Sequence, residues 1–120
     1  MKKLVKDLEL HEIDYIMAKA EGLDAIISDN VCRIRVNEDW KFEDYSPTTN
    51  PTQSWPIIER EGICLNIGML SHEDNSVLFW NSTFDDSILQ CGKTSLEAAM
   101  RCYVASKFGD EVDMDNLINK

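Results

Sequence analysis

The stretch that decides the fold is residues 94–109, which read TSLEAAMRCYVASKFG. Thr94 and Glu97 have the spacing of a capping box, in which two side chains satisfy the free backbone N–H groups at the start of a helix. Apolar residues then recur with a period near 3.6, and Gly109 can end the helix. The sequence therefore predicts a C-terminal helix whose apolar face consists of Leu96, Ala99, Met100, Tyr103, Val104 and Phe108.

A second amphipathic segment lies near the N-terminus. Its apolar residues follow helical spacing from Leu10 to Ala20, and Gly22 stands where a left-handed C-terminal cap belongs. We expect the polar positions of this helix, Asp14 among them, to face water.

Short apolar runs separated by turn residues lie between the two helices. They predict strands at 25–27, 31–36, 62–69, 76–83 and 87–90. This order indicates an α+β fold, in which an antiparallel sheet of four to five strands carries the N-terminal and the C-terminal helix. We expect a single domain over residues 1–112 and an acidic, frayed tail over 113–120.

Residues 37–61 show neither the strand period nor the helix period. All three prolines of the chain lie here, at Pro47, Pro51 and Pro56, together with four aromatic residues. Long irregular segments in compact domains are usually functional or disordered, and the aromatic content argues against disorder. The sequence therefore predicts a long functional loop at 37–61.

The charge of the chain excludes two classes of partner. Twelve Lys and Arg against 22 Asp and Glu give a net charge of −10, with a pI near 4.5. A general nucleic-acid binder needs a basic face, and an anionic membrane surface attracts basic segments. No apolar stretch has the length of a membrane span or the character of a signal peptide, so we expect a cytoplasmic protein.

The sequence contains no convincing catalytic or metal-binding pattern. The four cysteines are scattered without a C-x-x-C pair, which favours free thiols over a metal site. Gly92-Lys93-Thr94-Ser95 resembles the end of a P-loop, but position 87 is Ser where the first glycine is required. Helix capping explains these residues without a nucleotide, although the helix N-terminus could still bind an anion. We therefore predict no enzyme activity and no cofactor.

The residues best suited to a ligand are the aromatic and cationic ones. Aromatic side chains at Trp40, Tyr45 and Trp55 could stack on a planar ligand, or could instead pin the long loop to the sheet. Hydroxyl and cationic groups that could hold polar or phosphate groups are those of Thr48, Thr49, Arg60, Lys93 and Arg101. Arg60 could equally pair with neighbouring carboxylates, and Arg101 could be a surface cation.

Four segments of the chain resemble the NinX family of lambdoid phages and related prophages. They are 18–23 (AKAEGL), 45–49 (YSPTT), 56–63 (PIIEREGI) and 98–112 (AAMRCYVASKFGDEV). The resemblance implies a small phage protein from the accessory gene region, expressed early in infection, and implies no biochemical activity.

Two departures from the family pattern bear on the site. Residues 50–55 read NPTQSW where family members commonly carry a stretch similar to Asp-Trp-Ala-Gln-Gly-Gly. The tryptophan is displaced, so a stacking role cannot simply be carried over to Trp55. Lys93 is an added cation where the family has an entrance to the last helix similar to Gly-Pro-Thr-Pro.

Three functions are compatible with these features. The first is a non-catalytic binder that sequesters a nucleotide-like molecule, with a counter-defence role against host immune signalling and an oligomer that encloses the site. The alternative is an acidic protein that inhibits a host nucleic-acid-binding or defence protein by direct contact. The third is an adaptor or enzyme subunit that docks through an apolar patch at the long loop. We favour the binder.

Overall fold

The computed structural model describes residues 2–36, 41–72, 75–84 and 88–114. Within these ranges the chain forms three α-helices, eight strands and a short 3-10 turn at Val5–Asp7. The helices are α1 Leu10–Ala20, α2 Pro51–Glu61 and α3 Ser95–Phe108. The strands are β1 Lys2–Leu4, β2 Ala25–Ser28, β3 Val31–Arg35, β4 Phe42–Asp44, β5 Cys64–His72, β6 Asn75–Phe84, β7 Ile88–Gly92 and β8 Glu111–Asp113.

All strand pairs are antiparallel, and they form three small sheets among the described residues. β1 pairs with β8, β2–β3–β4 form a second sheet, and β5–β6–β7 form a third. The turn of the β2–β3 hairpin places Asp29 and Asn30 at φ 53 and 61°, as a two-residue type I′ turn requires. The predicted α+β class is confirmed, but the strands are divided among three sheets where the sequence predicted one sheet of four to five strands.

Helix α3 forms the centre of the molecule. Its residues 98–105 are all buried, although the sequence predicted a single apolar face. The helix is in contact with α1, with α2 and with the β5–β7 sheet. A helix that is covered on every side is a core helix, so even its polar residues must find partners inside the protein.

The predicted loop at 37–61 requires a correction, because residues 51–61 form a helix. Asn50 caps this helix, Pro51 occupies the first helical position, where no N–H is needed, and Gly62 ends it at φ 69°. Pro56 lies in the helix interior, which is unfavourable by about 3 kcal/mol in an exposed helix. Burial of Ile57 and Ile58 against the core offsets that cost.

The strand β4 occupies part of the same segment, and 37–40 lie outside the described residues. Only residues 113 and 114 of the predicted acidic tail at 113–120 are described, and Asp113 is the last residue of β8. The boundary of the domain at residue 112 therefore stays a prediction.

Candidate functional site

An open groove lies between the first turns of α2 and α3. Its volume is about 750 Å³, and its lining consists of Pro51, Thr52, Trp55, Pro56, Ser95 and Leu96. Trp55 is 50% exposed, which is a large exposure for a tryptophan. The lining combines an aromatic face and two proline rings with two hydroxyl groups.

Capping residues explain why both helices begin at this groove. The Asn50 side chain accepts a hydrogen bond from the Thr52 N–H at 3.0 Å, and the Thr94 hydroxyl accepts one from the Glu97 N–H at 3.1 Å. At the opposite end of these helices, Lys107 of α3 pairs with Glu61 of α2 at 3.0 Å. The two helices therefore run in the same direction, with both N-termini at the groove.

Glu97 adds a carboxylate beside the groove, and this carboxylate is already engaged. One oxygen accepts a hydrogen bond from the Lys93 N–H at 3.2 Å, and the other accepts one from the Arg101 guanidinium at 2.9 Å. The side chain of Lys93 is exposed and forms no ion pair within the described ranges. Lys93 thus adds a positive charge at the α3 side of the groove.

Two of the predicted ligand-binding residues lie at this groove or beside it. Trp55 forms one wall, and Lys93 precedes the lining residue Ser95 by two positions. Trp40 was also predicted, and it lies outside the described residues.

Tyr45 and Thr48 were predicted as ligand contacts, and the structure places both in the interior. Tyr45 belongs to the main core, where burial raises the pKa of its hydroxyl to about 12. Thr48 is 1% exposed, and both its N–H and its hydroxyl donate to the Asp14 carboxylate, at 3.0 and 3.1 Å. Tyr45 therefore supports the alternative interpretation, in which the aromatic residues pin this segment to the rest of the domain, and Thr48 attaches it to α1.

Thr49 lies on the surface, in the turn that precedes α2. Its hydroxyl donates to the Ser46 carbonyl at 3.4 Å, and its N–H donates to the same oxygen at 2.9 Å. The side chain closes the turn and is not part of the groove lining.

Arg60 lies at the far end of α2 from the groove and pairs with carboxylates. Its guanidinium donates to both oxygens of Glu21, at 2.9 and 3.0 Å, and to Glu61 at 2.9 Å. The Tyr103 hydroxyl donates to the same Glu21 at 2.6 Å. The hydrogen bonds from Arg60 lower the pKa of Glu21, and this network joins the C-terminal ends of all three helices.

Arg101 is 7% exposed and lies inside the protein. Its guanidinium donates to the carbonyls of Val5 and Leu8, at 2.5 and 2.8 Å, and to the Glu97 carboxylate. These contacts connect α3 to the segment that leads into α1. The interpretation of Arg101 as a surface cation is therefore wrong, and Arg101 is not part of the lining of the groove between α2 and α3.

Asp14 of α1 is a buried carboxylate. The sequence predicted that it faces water, but its residue exposure is 5%, and Thr48 supplies both of its hydrogen bonds. Burial raises the pKa of Asp14 to about 6, and the hydrogen bonds from Thr48 oppose that rise. Helical periodicity could not identify this position, because its partner lies 34 residues away.

Sequence reasoning missed most of the groove lining. The sequence prediction does not include Pro51, Thr52, Pro56, Ser95 and Leu96 among the ligand contacts, because it places 51–56 in a loop and Ser95 and Leu96 in the first turn of a helix. The available signal was Asn50-Pro51, which is typical of an N-cap followed by a first helical residue.

Neither a metal-binding cluster nor a membrane-spanning helix is present in the part of the chain that the structure describes. No group of three or more His, Cys, Asp or Glu residues there is arranged to hold a metal ion. No helix there is long and apolar enough to cross a membrane. Cys32 and Cys102 are buried and form no disulfide, and burial raises the pKa of Cys32 to about 12.

The chain matches the model of a known protein family. The family model described as bacteriophage P22 NinX matches residues 4–107, which is most of the chain. No curated protein matches the chain. The matched range includes every residue of the groove lining.

Proposed function

The chain belongs to the bacteriophage NinX family of phage accessory proteins, and on that premise we propose that it is a non-catalytic binder that sequesters a nucleotide-like small molecule. The proposed site is the groove between α2 and α3. The observation that carries the proposal is the half-exposed Trp55 in a groove of about 750 Å³. Small-molecule sites commonly have volumes of roughly 300–1,000 Å³ and a mostly apolar lining.

The lining supports stacking as the main interaction with the ligand. An indole face can stack on any nucleobase, and such a contact typically contributes about 1–3 kcal/mol. The proline rings of Pro51 and Pro56 and the side chain of Leu96 extend the apolar surface next to Trp55. A planar ring on this surface would exclude water from both partners.

The polar groups of the groove favour one orientation of the ligand. The N–H groups of Ser95 and Leu96 belong to the first turn of α3 and have no intrahelical acceptor. The Thr52 N–H of α2 is already bound to Asn50. A phosphate therefore finds donors and positive charge on the α3 side, next to Lys93, while the ring lies on the α2 side.

A counter-defence role follows as part of the same proposal. A binder that holds a host signalling nucleotide without altering it lowers the free concentration of that signal. The open groove leaves one side of the ligand exposed, so a second copy of the chain would complete the enclosure. We therefore expect a homo-oligomer with no catalytic turnover.

The experiment is thermal unfolding against a panel of nucleotides, cyclic nucleotides and ADP-ribose derivatives. A ligand at about 100 times its Kd adds about 2.7 kcal/mol, which raises Tm by roughly 10 °C in a domain of this size. Trp55→Ala should abolish the shift. The matched control is Phe42→Ala, which removes another exposed aromatic side chain, on β4 and away from the groove.

Each result of this experiment has a defined meaning. A shift that survives Trp55→Ala places the ligand elsewhere and refutes the proposed site. No shift across the panel refutes the small-molecule binder. The favoured function is then direct contact with a host protein. An acidic surface would bind such a partner with a steep dependence on salt.

A further inference from the structure

A buried carboxylate holds the turn that leads into the groove. Asp14 of α1 accepts two hydrogen bonds from Thr48, and its carboxylate has no ion-pair partner among the described residues. A buried carboxylate without a cation is costly when ionised, so its protonation state affects how firmly the two segments are held together.

The turn that contains Thr48 is continuous with the first turn of α2. The N–H groups of Thr49 and Asn50 both donate to the Ser46 carbonyl, and Asn50 is the N-cap of α2. The Gln53 side chain accepts from the Ser46 N–H at 2.7 Å and donates to the Asp44 carbonyl at 3.1 Å. Residues 46–54 are thus one hydrogen-bonded unit, and Trp55 follows directly.

We propose that Asp14 and Thr48 form a proton-operated clasp that sets the position of the first turn of α2, and with it the Trp55 wall of the groove. The nature of the ligand in the groove rests on the proposed function. The clasp itself does not, because the movement of Trp55 can be measured without a ligand.

The groups that face Asp14 do not titrate in the relevant range. The Cys32 thiol of β3 and the Tyr45 hydroxyl both interact with its charge, and burial raises the pKa of each to about 12. His11 lies one turn before Asp14 on α1, and its ring approaches Glu9 at 3.5 Å. A variant of His11 therefore serves as a control for a neighbouring residue on the same helix.

The direction of the effect follows from linkage. Burial raises the pKa of Asp14 to about 6, so the clasped state binds a proton more tightly than an open, hydrated state. The clasp is therefore most stable at acidic pH and weakens as pH rises through about 6. Between pH 5 and pH 8 the ratio of open to clasped protein should increase about tenfold.

The test uses 19F NMR of the full chain labelled with 5-fluorotryptophan, with the Trp55 signal assigned by Trp55→Phe. We expect the Trp55 signal to titrate with the same midpoint as the 13C signal of the Asp14 carboxyl. Asp14→Asn keeps the acceptor for the Thr48 N–H and should abolish the titration. Asp29→Asn, which makes the same charge change at an exposed turn, and His11→Gln should both leave it unchanged.

A second variant keeps the proposal testable if Asp14→Asn does not fold. Thr48→Val removes a hydrogen bond that lowers the pKa of Asp14, so the Trp55 midpoint should move upward. A Trp55 signal that is flat while Asp14 titrates overturns the proposal. So does a midpoint that is unchanged in Asp14→Asn or lost in His11→Gln. A failure to find a ligand would instead refute the proposed function and leave this titration unaffected.

Discussion

Replacement of Arg101 by methionine should destabilise the fold and have no direct effect on a ligand in the groove. Methionine has a similar length and suits a helix interior, so the change mainly removes the guanidinium group. Three acceptors then lose a donor, namely the carbonyls of Val5 and Leu8 and one oxygen of Glu97. The segment before α1 loses its attachment to α3.

The magnitude follows from the burial of the group. Each buried acceptor left without a donor costs about 1–3 kcal/mol, and loss of one partner from a buried ion pair typically costs about 3–5 kcal/mol. We expect the free energy of unfolding to fall by about 3–5 kcal/mol, because water can reach part of the N-terminal segment after the change. For a domain of this size that corresponds to a fall in Tm of roughly 12–20 °C.

The assay is urea unfolding of the wild type, Arg101→Met and a matched arginine variant. Arg33→Met is the control, because Arg33 pairs with Asp44 at 3.1 Å on the surface and should cost at most about 1 kcal/mol. The double variant Glu97→Gln/Arg101→Met should lose less free energy of unfolding than the sum of the two single variants, because it contains no unpaired Glu97 carboxylate. A loss below about 1 kcal/mol for Arg101→Met would refute the structural role and reopen the assignment of Arg101 to a ligand site.

Two further predictions concern stability. Asp14→Asn should remove a pH dependence of the free energy of unfolding. In the wild type, the stability that Asp14 contributes at acidic pH is lost as pH rises through about 6. Between pH 5 and pH 8 the wild type should therefore lose about 1.4 kcal/mol relative to the variant. Titratable groups that the wild type and Asp14→Asn share cancel when the two free energies of unfolding are subtracted. Curves of the free energy of unfolding against pH that run parallel for the two proteins would contradict the prediction. Gly92→Ala should cost about 1–3 kcal/mol, because an added Cβ would lie 2.6 Å from the Ala98 backbone nitrogen and force β7 away from α3. Urea unfolding of this variant checks the prediction. Gly22→Asn is a milder reference, because Gly22 has a left-handed backbone conformation and an added Cβ there meets no atom within 4 Å.

Local signals in the sequence were sufficient for most of the secondary structure. The period near 3.6 identifies α1 and α3, the Asp29-Asn30 turn identifies the β2–β3 hairpin, and Thr94 correctly marks the start of α3. These features depend on neighbours within a few residues. Helix α2 was missed because its prolines oppose a helix locally, while burial of Ile57 and Ile58 stabilises it through contacts distant in sequence.

The candidate site was harder to predict than the fold, for the same physical reason. Arg101, Thr48 and Tyr45 have side chains that suit a ligand, and the fold uses all three internally. Whether a polar side chain binds a ligand or a backbone carbonyl depends on which segment lies next to it. Arg101 meets Val5 and Leu8 across more than 90 residues of chain, which no local pattern encodes.

The distribution of charge leads to a last prediction about the ligand. All four arginines of the chain have carboxylate partners, at N–O distances of 3.1 Å for Arg33, 3.9 Å for Arg35, and 2.9 Å for both Arg60 and Arg101. A guanidinium clamp for phosphates is therefore absent from the described groove, where Lys93 and the first turn of α3 supply the positive charge.

A groove that has Lys93 as its unpaired cation among the described residues should recognise the ring more than the phosphates. We expect a nucleoside monophosphate and the corresponding triphosphate to bind within about tenfold of each other, which is 1.4 kcal/mol. Titration calorimetry at two salt concentrations checks this, and Lys93→Gln should remove most of the salt dependence because an exposed charge is screened. A triphosphate that binds a hundredfold more tightly would mean that arginines leave their carboxylate partners on binding, and the placement of the ligand beside Trp55 would then be wrong.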